Sequence, residues 1–456
     1  MIQQQYHLEP DRGLLNDPNG LAWFNGKYHV FFQWNRFEKN HSYKEWGLFT
    51  SKNLINWEFE ESALLPDLEY DKDGVYSGSG YVIDKCLYLF YTGNCKNDGK
   101  RKSSQCLVVT KDGRKYLKKG IILETPDEYT EHFRDPKVSK CKEKGYYMVI
   151  GAQQKTGKGA IALCCSDNGK QWKYHSMLAE SLQYEMIECP DLFEMDDRYV
   201  LLYNPQKRDN EKDTDIYSFS AYKIVDFDEN TGMLKDTDLD IGFEKMDAGF
   251  DFYAPQTFLS PDGRRIMFGW MSRMEAEQEK IFSRTEKNIH CMTMPRELVL
   301  KDSKKLYQKP IREMYELLGP NISVAYKDNE WKAIPDRRTF WMHIKPTDGK
   351  KDLNVLFHKG EAEISYNSTL NELIFSRKNW VDGSKDIKTV EVNSLEELEI
   401  WSDNSSLEIF VNYGANVFSA RIFPDSNNLE IVVKGDIQEE EIKIRKINNT
   451  KKEETK

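Results

Sequence analysis

A chain of 456 residues exceeds the roughly 250–300 residues at which one hydrophobic core stops growing, so a large and a smaller domain are expected. The formal charge of −10 and a pI near 5.5 set the chain against nucleic acid and anionic membranes as partners, because long-range repulsion opposes both. With 24 Tyr, 23 Phe and 10 Trp there is ample material for packed cores, which excludes wholesale disorder.

The N-terminal stretch from Met1 to His7 lacks the basic, apolar and small-residue zones of a signal peptide, and no apolar run reaches membrane-spanning length. A cytoplasmic protein is the expectation. The eight cysteines (Cys86, Cys95, Cys106, Cys141, Cys164, Cys165, Cys189 and Cys291) form no Cys-x-x-Cys pair, so buried, reduced thiols are expected in place of a zinc site or a disulfide framework.

Along the first two thirds of the chain a short apolar-aromatic run recurs five times after a turn signal: GKYHVFFQW from Gly26, KCLYLFYTG from Lys85, KGYYMVIGA from Lys144, DRYVLLYNP from Asp197 and GRRIMFGWM from Gly263. A second element trails several copies, a Ser/Thr-rich turn closing on an aromatic, as in TSKNLINW to Trp57, TKDGRKY to Tyr116 and CSDNGKQW to Trp172. Short strands at regular intervals describe radial β-sheet blades, so the pattern predicts a five-bladed β-propeller over residues 1–308, with a β-sandwich or open sheet as the alternative.

After Met294-Pro295-Arg296-Glu297-Leu298 the repeat stops, and Pro310 to Leu318 has helix-compatible spacing before Gly319-Pro320. Residues 309–320 are therefore expected to be a linker. Beyond it, RTFWMHIKP, LNVLFHKG, ELIFSRK, LEIWSD, SLEIFVN, VFSARIFP and LEIVVKGD predict a β-sandwich over 321–449, with a mobile tail at 450–456. The whole is all-β.

Three acids sit in segments too apolar or too turn-rich for ordinary surface charge: Asp17 in LLNDPNGL, Asp135 in HFRDPKV and Glu188 in MIECPDLF. Taken singly, an Asp-Pro is a common turn. Proline should hold Asp17 and Asp135 in extended backbone. Asp17 precedes the first repeated run, Asp135 the third and Glu188 the fourth, so in a propeller all three point into one funnel. There, mutual repulsion and desolvation should raise the pKa of at least one. One protonated acid beside one anion is what glycoside cleavage requires.

The strings NDPNG (Asn16–Gly20), FRDP (Phe133–Pro136) and ECPD (Glu188–Asp191) resemble the three signature blocks of glycoside hydrolase family 32, the invertase, fructanase and sucrose-6-phosphate hydrolase family. YSGSG from Tyr76, DFYAPQTF from Asp251, MPREL from Met294 and DNSSLEIFVN from Asp403 also resemble family blocks, in the family's order. The resemblance implies a propeller with a sandwich beside it, and a retaining β-fructofuranosidase. In it Asp17 is the nucleophile, Glu188 the acid/base, and Asp135 a stabiliser of the transition state that transfers no proton.

By the same matching, Asn16, Gln33, Trp46, Ser77, Arg134, Tyr253 and Trp270 are expected to hold the terminal fructose. Two positions depart from the family pattern. Leu14 stands where an aromatic is usual, which bears on the pocket rim and the leaving group, and Asn404 stands where Arg is usual, outside the catalytic set.

The family's intracellular members point to sucrose-6-phosphate or sucrose as substrate. For a phosphate, Arg36, Lys39, Lys44, Lys207 and Arg208 are the available cations. The alternatives are an exo-acting fructan hydrolase, an inverting arabinan-type hydrolase, and a carbohydrate-binding propeller without turnover. No cofactor and no metal are implied, since the eight His residues (His7, His29, His41, His132, His175, His290, His343 and His358) form no ligand-spaced pair. A small sugar is the one expected partner.

Overall fold

The computed structural model describes residues 3–142, 145–208, 216–272, 274–285 and 287–449. The tail expected from residue 450 onward, Lys144 at the head of the third repeat, and the side chain of Arg208 lie outside the described residues.

Each repeated run becomes the second strand of a separate antiparallel sheet: Lys27–Asn35, Cys86–Asn97, Tyr146–Gln154, Arg198–Arg208 and Arg265–Met271. These strands are sandwiched by neighbours on both faces, which is why they read as continuous apolar runs; Lys27–Asn35 is buried at every residue but its first. The outermost strand of the second sheet, Leu117–Glu124, is exposed or half-exposed throughout. The trailing element is a repeated turn. Asn53, Asp112 and Asn168 each accept two backbone N–H bonds from the residues just ahead. The closing Trp57, Tyr116 and Trp172 donate back to the carbonyls of Leu54, Gly113 and Gly169.

The first strands of the five sheets are Gly13–Phe24, Val75–Ile83, Tyr129–Lys140, Met186–Met195 and Tyr253–Leu259. Each touches the next, and the last touches the first, so they form a closed ring. Glycine permits the closest approach: a β-carbon on Gly80 would stand 2.6 Å from the carbonyl oxygen of Gly20. The pair explains glycine in both NDPNG and YSGSG.

The fifth sheet continues past the expected end of the repeat, because Arg296–Lys301 and Lys305–Pro310 are its outer strands. The predicted helical spacing is met by a 3-10 helix at Arg312–Leu317, and Leu318–Asn321 is already an edge strand of the C-terminal unit. The segment expected as a linker is thus structured at both ends. The C-terminal unit is a six-stranded and a seven-stranded sheet around a common apolar core that includes Met342, Val355, Phe375 and Ile409. All seven predicted strands are present, and half-exposed ones such as Ala362–Asn367 join them. An α-helix, Ala276–Thr285, was not signalled by the sequence pattern.

Between ring and sandwich lies a buried ionic seam. His7 bonds Asp403 through Nδ1 and Glu408 through Nε2, both at 2.8 Å. Arg296 joins Glu408 to Asp247, and Arg377 pairs with Asp251. Asn404 contributes here too, its amide donating to the carbonyl of Gln3.

Candidate active site

The ring's first strands all break register at one level. Pairing slips between Leu15 and Pro18, between Val75 and Gly78, beside Asp135, between Glu188 and Asp191, and between Tyr253 and Gln256. Such bulges re-aim side chains out of the ladder. They fall at the motif residues: Asp17, Ser77, Asp135, Glu188 and Tyr253 each stand at the bulge of a different sheet. Three residues that precede a proline there, Asp135, Cys189 and Ala254, have φ of 67°, 43° and 48°. The extended geometry expected for Asp135 is therefore not what the chain adopts. It takes a left-handed conformation, a strained one for a non-glycine residue and of the kind concentrated at functional sites.

The three acids line one cavity of about 430 Å³ together with Asn16, Gln33, Ser77, Arg134, Tyr253 and Trp270. Ser77 Oγ donates to Asp17 Oδ2 at 2.5 Å, and the Cys189 thiol lies 3.9 Å from the same oxygen. Asp135 accepts the backbone N–H of Cys189 at 3.0 Å, so residue 189 bridges two acids. Glu188 is surrounded by donors. Arg134 reaches its Oε1 from Nε and Nη2 at 3.2 and 2.6 Å, and Gln206 and Tyr253 reach its Oε2 at 3.0 and 2.8 Å.

Electrostatics separates the acids. Burial pushes the Asp135 carboxyl up to about 7; Arg134, at 3.9 Å, opposes the rise, and Glu188 and Asp17 add to it. The expected raised pKa belongs to Asp135. Burial also lifts the Cys189 thiol well above its ordinary range, with Asp135, Asp17 and Glu188 adding to the effect, so it is a neutral thiol.

Trp46 does not reach the cavity. It is fully buried in the core with Phe31, Leu64 and Tyr91, and its indole donates to the carbonyl of Tyr76 at 3.1 Å. Packing takes the place of the expected sugar contact. Trp270 does line the cavity, and its buried indole N–H has no acceptor among the described residues. Leu14 is also fully buried, against Ile289 and Met274, so it forms no part of a rim.

The cavity holds further polar residues. Lys44 is buried, donating to Asn16 Oδ1 at 2.5 Å and to His41 Nδ1 at 2.9 Å, and Asn16 in turn donates to Gln33 at 2.7 Å. Burial lowers the Lys44 ammonium to about 8, partly offset by Asp17, Glu279 and Glu188. His41, Tyr76, Arg101, His132, Gln153, Glu185 and Gln206 also line the walls. The one available signal was position: His41-Ser42-Tyr43-Lys44 leads into the strand Glu45–Ser51 of the first sheet, and Gln206 lies at the end of the fourth repeated strand. Arg36, considered for phosphate, is committed to Glu45 at 2.8 and 2.9 Å. Among the described residues no cluster of His, Cys, Asp and Glu could hold a metal ion, and no helix is long and apolar enough to cross a membrane.

Comparison with known proteins agrees with this geometry. Residues 7–310 match the glycosyl hydrolases family 32 N-terminal domain, and residues 339–448 match the family 32 C-terminal domain. A sucrose-6-phosphate hydrolase of Bacillus subtilis is 36% identical over 444 residues, 94% of this chain and 90% of that protein. One from Klebsiella pneumoniae is 35% identical over 434 residues, 92% of this chain and 88% of that protein. The solved sucrose-6-phosphate hydrolase of Lactobacillus gasseri superposes with a TM-score of 0.84 at 28% identity, covering 99% of this chain and 94% of its own. A Bombyx mori family 32 β-fructofuranosidase, solved as a mutant with sucrose, gives 0.84 at 26%, covering 98% and 94%. Matched along nearly its whole length, with both signature domains in order, this chain belongs to glycosyl hydrolases family 32.

Proposed function

We propose that this chain is a retaining β-fructofuranosidase that hydrolyses the terminal fructosyl bond of sucrose-6-phosphate or sucrose. The observation that carries this reading is the convergence of Asp17, Asp135 and Glu188 on one cavity, each from a different sheet. In this reading the five-bladed propeller expected over 1–308 extends to Pro310, residues 311–317 connect, and the sandwich expected over 321–449 starts at Leu318. The ring of first strands and the five repeated runs support the count of five. A cytoplasmic place of action goes with the phosphorylated substrate, a charged molecule that does not cross a bilayer unaided.

Asp17 is suited to attack. It accepts from one hydroxyl and one weak thiol donor, which leaves lone pairs for the anomeric carbon. As its oxygen bonds C2 of the fructosyl unit, the bond from C2 to the glucosyl oxygen breaks and Glu188 gives that oxygen a proton. Water then attacks C2, Glu188 takes the proton back, and Asp17 leaves as carboxylate. Arg134, Gln206 and Tyr253 hold the Glu188 carboxyl in position for this exchange of the proton. Asp135, with a carboxyl near 7, sits ready to bond fructose hydroxyls. Asn16, Gln33, Ser77 and Trp270 supply further donors and acceptors.

Fructose release by the purified chain tests the reading. We expect release from sucrose-6-phosphate and sucrose, falling about 10²–10⁴-fold in Glu188→Gln. With methanol present, the β-anomer of methyl fructofuranoside should accumulate. No fructose from either sugar would overturn the assignment, and an α-anomer would overturn retention.

A further inference from the structure

We infer that Arg101 and His132 form the site for the phosphate monoester carried by the leaving glucose, an inference that rests on the fructosidase reading above. Three permanently or usually cationic side chains line the cavity: Lys44, Arg101 and Arg134. Two are already engaged. Arg134 spends its guanidinium on Glu188 and on His132, and Lys44 spends its ammonium on Asn16 and His41. Among the described residues Arg101, half-buried, makes a single cation–π contact, with its guanidinium carbon 5.7 Å from the Tyr76 ring centre. Its five N–H donors are in reach of a ligand, in the geometry that matches phosphate oxygens.

His132 adds a second donor. Arg134 Nη1 lies 3.1 Å from His132 Nδ1, and since a guanidinium can only donate, Nδ1 must be the acceptor. Burial, reinforced by Arg134 and Arg101, keeps the imidazole neutral down to about 4. A neutral ring that accepts at Nδ1 carries its proton on Nε2, so His132 offers an N–H donor.

The order of contacts also fits the substrate. Glu188 must meet the glycosidic oxygen, and from it the chain of contacts runs through Arg134 to His132, whose protonation Arg101 in turn opposes. A glucosyl unit leaving from Glu188 would lie along this chain of contacts, with its 6-phosphate seated at the Arg101 end. The sequence offered Arg36, Lys39, Lys44, Lys207 and Arg208 for this role; Arg101, on the third strand of the second sheet, lies far from all of them in the chain.

The test compares substrates within one protein. Charge-assisted bonds of this kind are worth roughly tenfold to 100-fold. Arg101→Gln should lower kcat/KM for sucrose-6-phosphate about tenfold to 100-fold more than kcat/KM for sucrose, mainly through KM, and Arg101→Lys should recover part of the difference. Glucose 6-phosphate should inhibit the unmodified protein better than glucose, and Arg101→Gln should erase that advantage. An equal loss on both sugars, or an unmodified protein that cleaves both alike, overturns the phosphate site and leaves the fructosidase reading standing. No fructose from either overturns both.

Discussion

The catalytic cavity and the seam between ring and sandwich both bury acids beside cations, and they do it in opposite ways. In the seam each carboxylate is matched: Asp403 and Glu408 share His7, Glu408 and Asp247 share Arg296, and Asp251 has Arg377. Burial alone would raise Asp403 and Glu408, yet bonds from His7 to the first, and from Arg296 and His7 to the second, bring both below the ordinary carboxylate range. In the cavity the matching is incomplete. Arg134 is drawn to Glu188, Lys44 is turned to an amide and an imidazole, and Asp135 is left with a carboxyl near 7. The same residue types build a fastener in one place and a reactive set in the other, and completeness of pairing decides which.

The contrast can be broken most sharply at Arg296. Arg296→Met strips the cation from Glu408 and Asp247 and should cost about 3–5 kcal/mol, read from urea unfolding. The folded fraction should keep its kcat within about threefold. A collapse of kcat in fully folded protein would mean that the seam is not separate from the chemistry.

Asp135→Asn should act in the reverse sense, removing activity while adding stability in alkali. The folded Asp135 holds its proton up to about 7, whereas an unfolded Asp releases it near 4, so stability from this group is lost as pH rises between those values. The variant should therefore unfold at a higher temperature than the unmodified protein at pH 8, with the gain gone at pH 4. His7 works with the same sign at a higher pH: raised to about 9 by Asp403 and Glu408 against the effect of burial, it contributes fully below about 6.5 and loses its contribution through about 9. A pH-independent gain in Asp135→Asn would remove the contrast at this residue.

The smallest effect distinguishes two tryptophans. Trp46→Phe loses a buried bond to the Tyr76 carbonyl and some volume, about 1–3 kcal/mol, and should leave KM for sucrose unchanged. Trp270→Phe, which removes an unpartnered N–H from the cavity wall, should raise KM instead. A raised KM in Trp46→Phe would return that residue to the sugar site.

What the sequence made legible follows from where each strand sits. Second strands such as Lys27–Asn35 are covered on both faces, and continuous burial writes itself as an apolar run. First strands are broken by bulges and prolines at Asp17, Asp135 and Glu188, so they read as motifs and not as strands. The acids could be found because Pro and Gly punctuate them. Arg101 could not, since a charged residue on a strand has the same appearance whether it faces water or a cavity, and Lys44 stood out only as one of five available cations. Trp46 misled in the other direction: an aromatic beside a motif carries no sign of the side on which it packs. The seam was hidden because Arg296 and Glu408 lie 112 positions apart, and no periodicity connects them.

The closed circle of first strands has a consequence for how this chain comes to life. Because every sheet of the ring lends one wall to the cavity, no partly assembled intermediate owns a working centre; four-fifths of a circle has none of the chemistry. During refolding, the first product molecules should appear only after the last arc has docked on the first, well behind the spectroscopic return of β-structure.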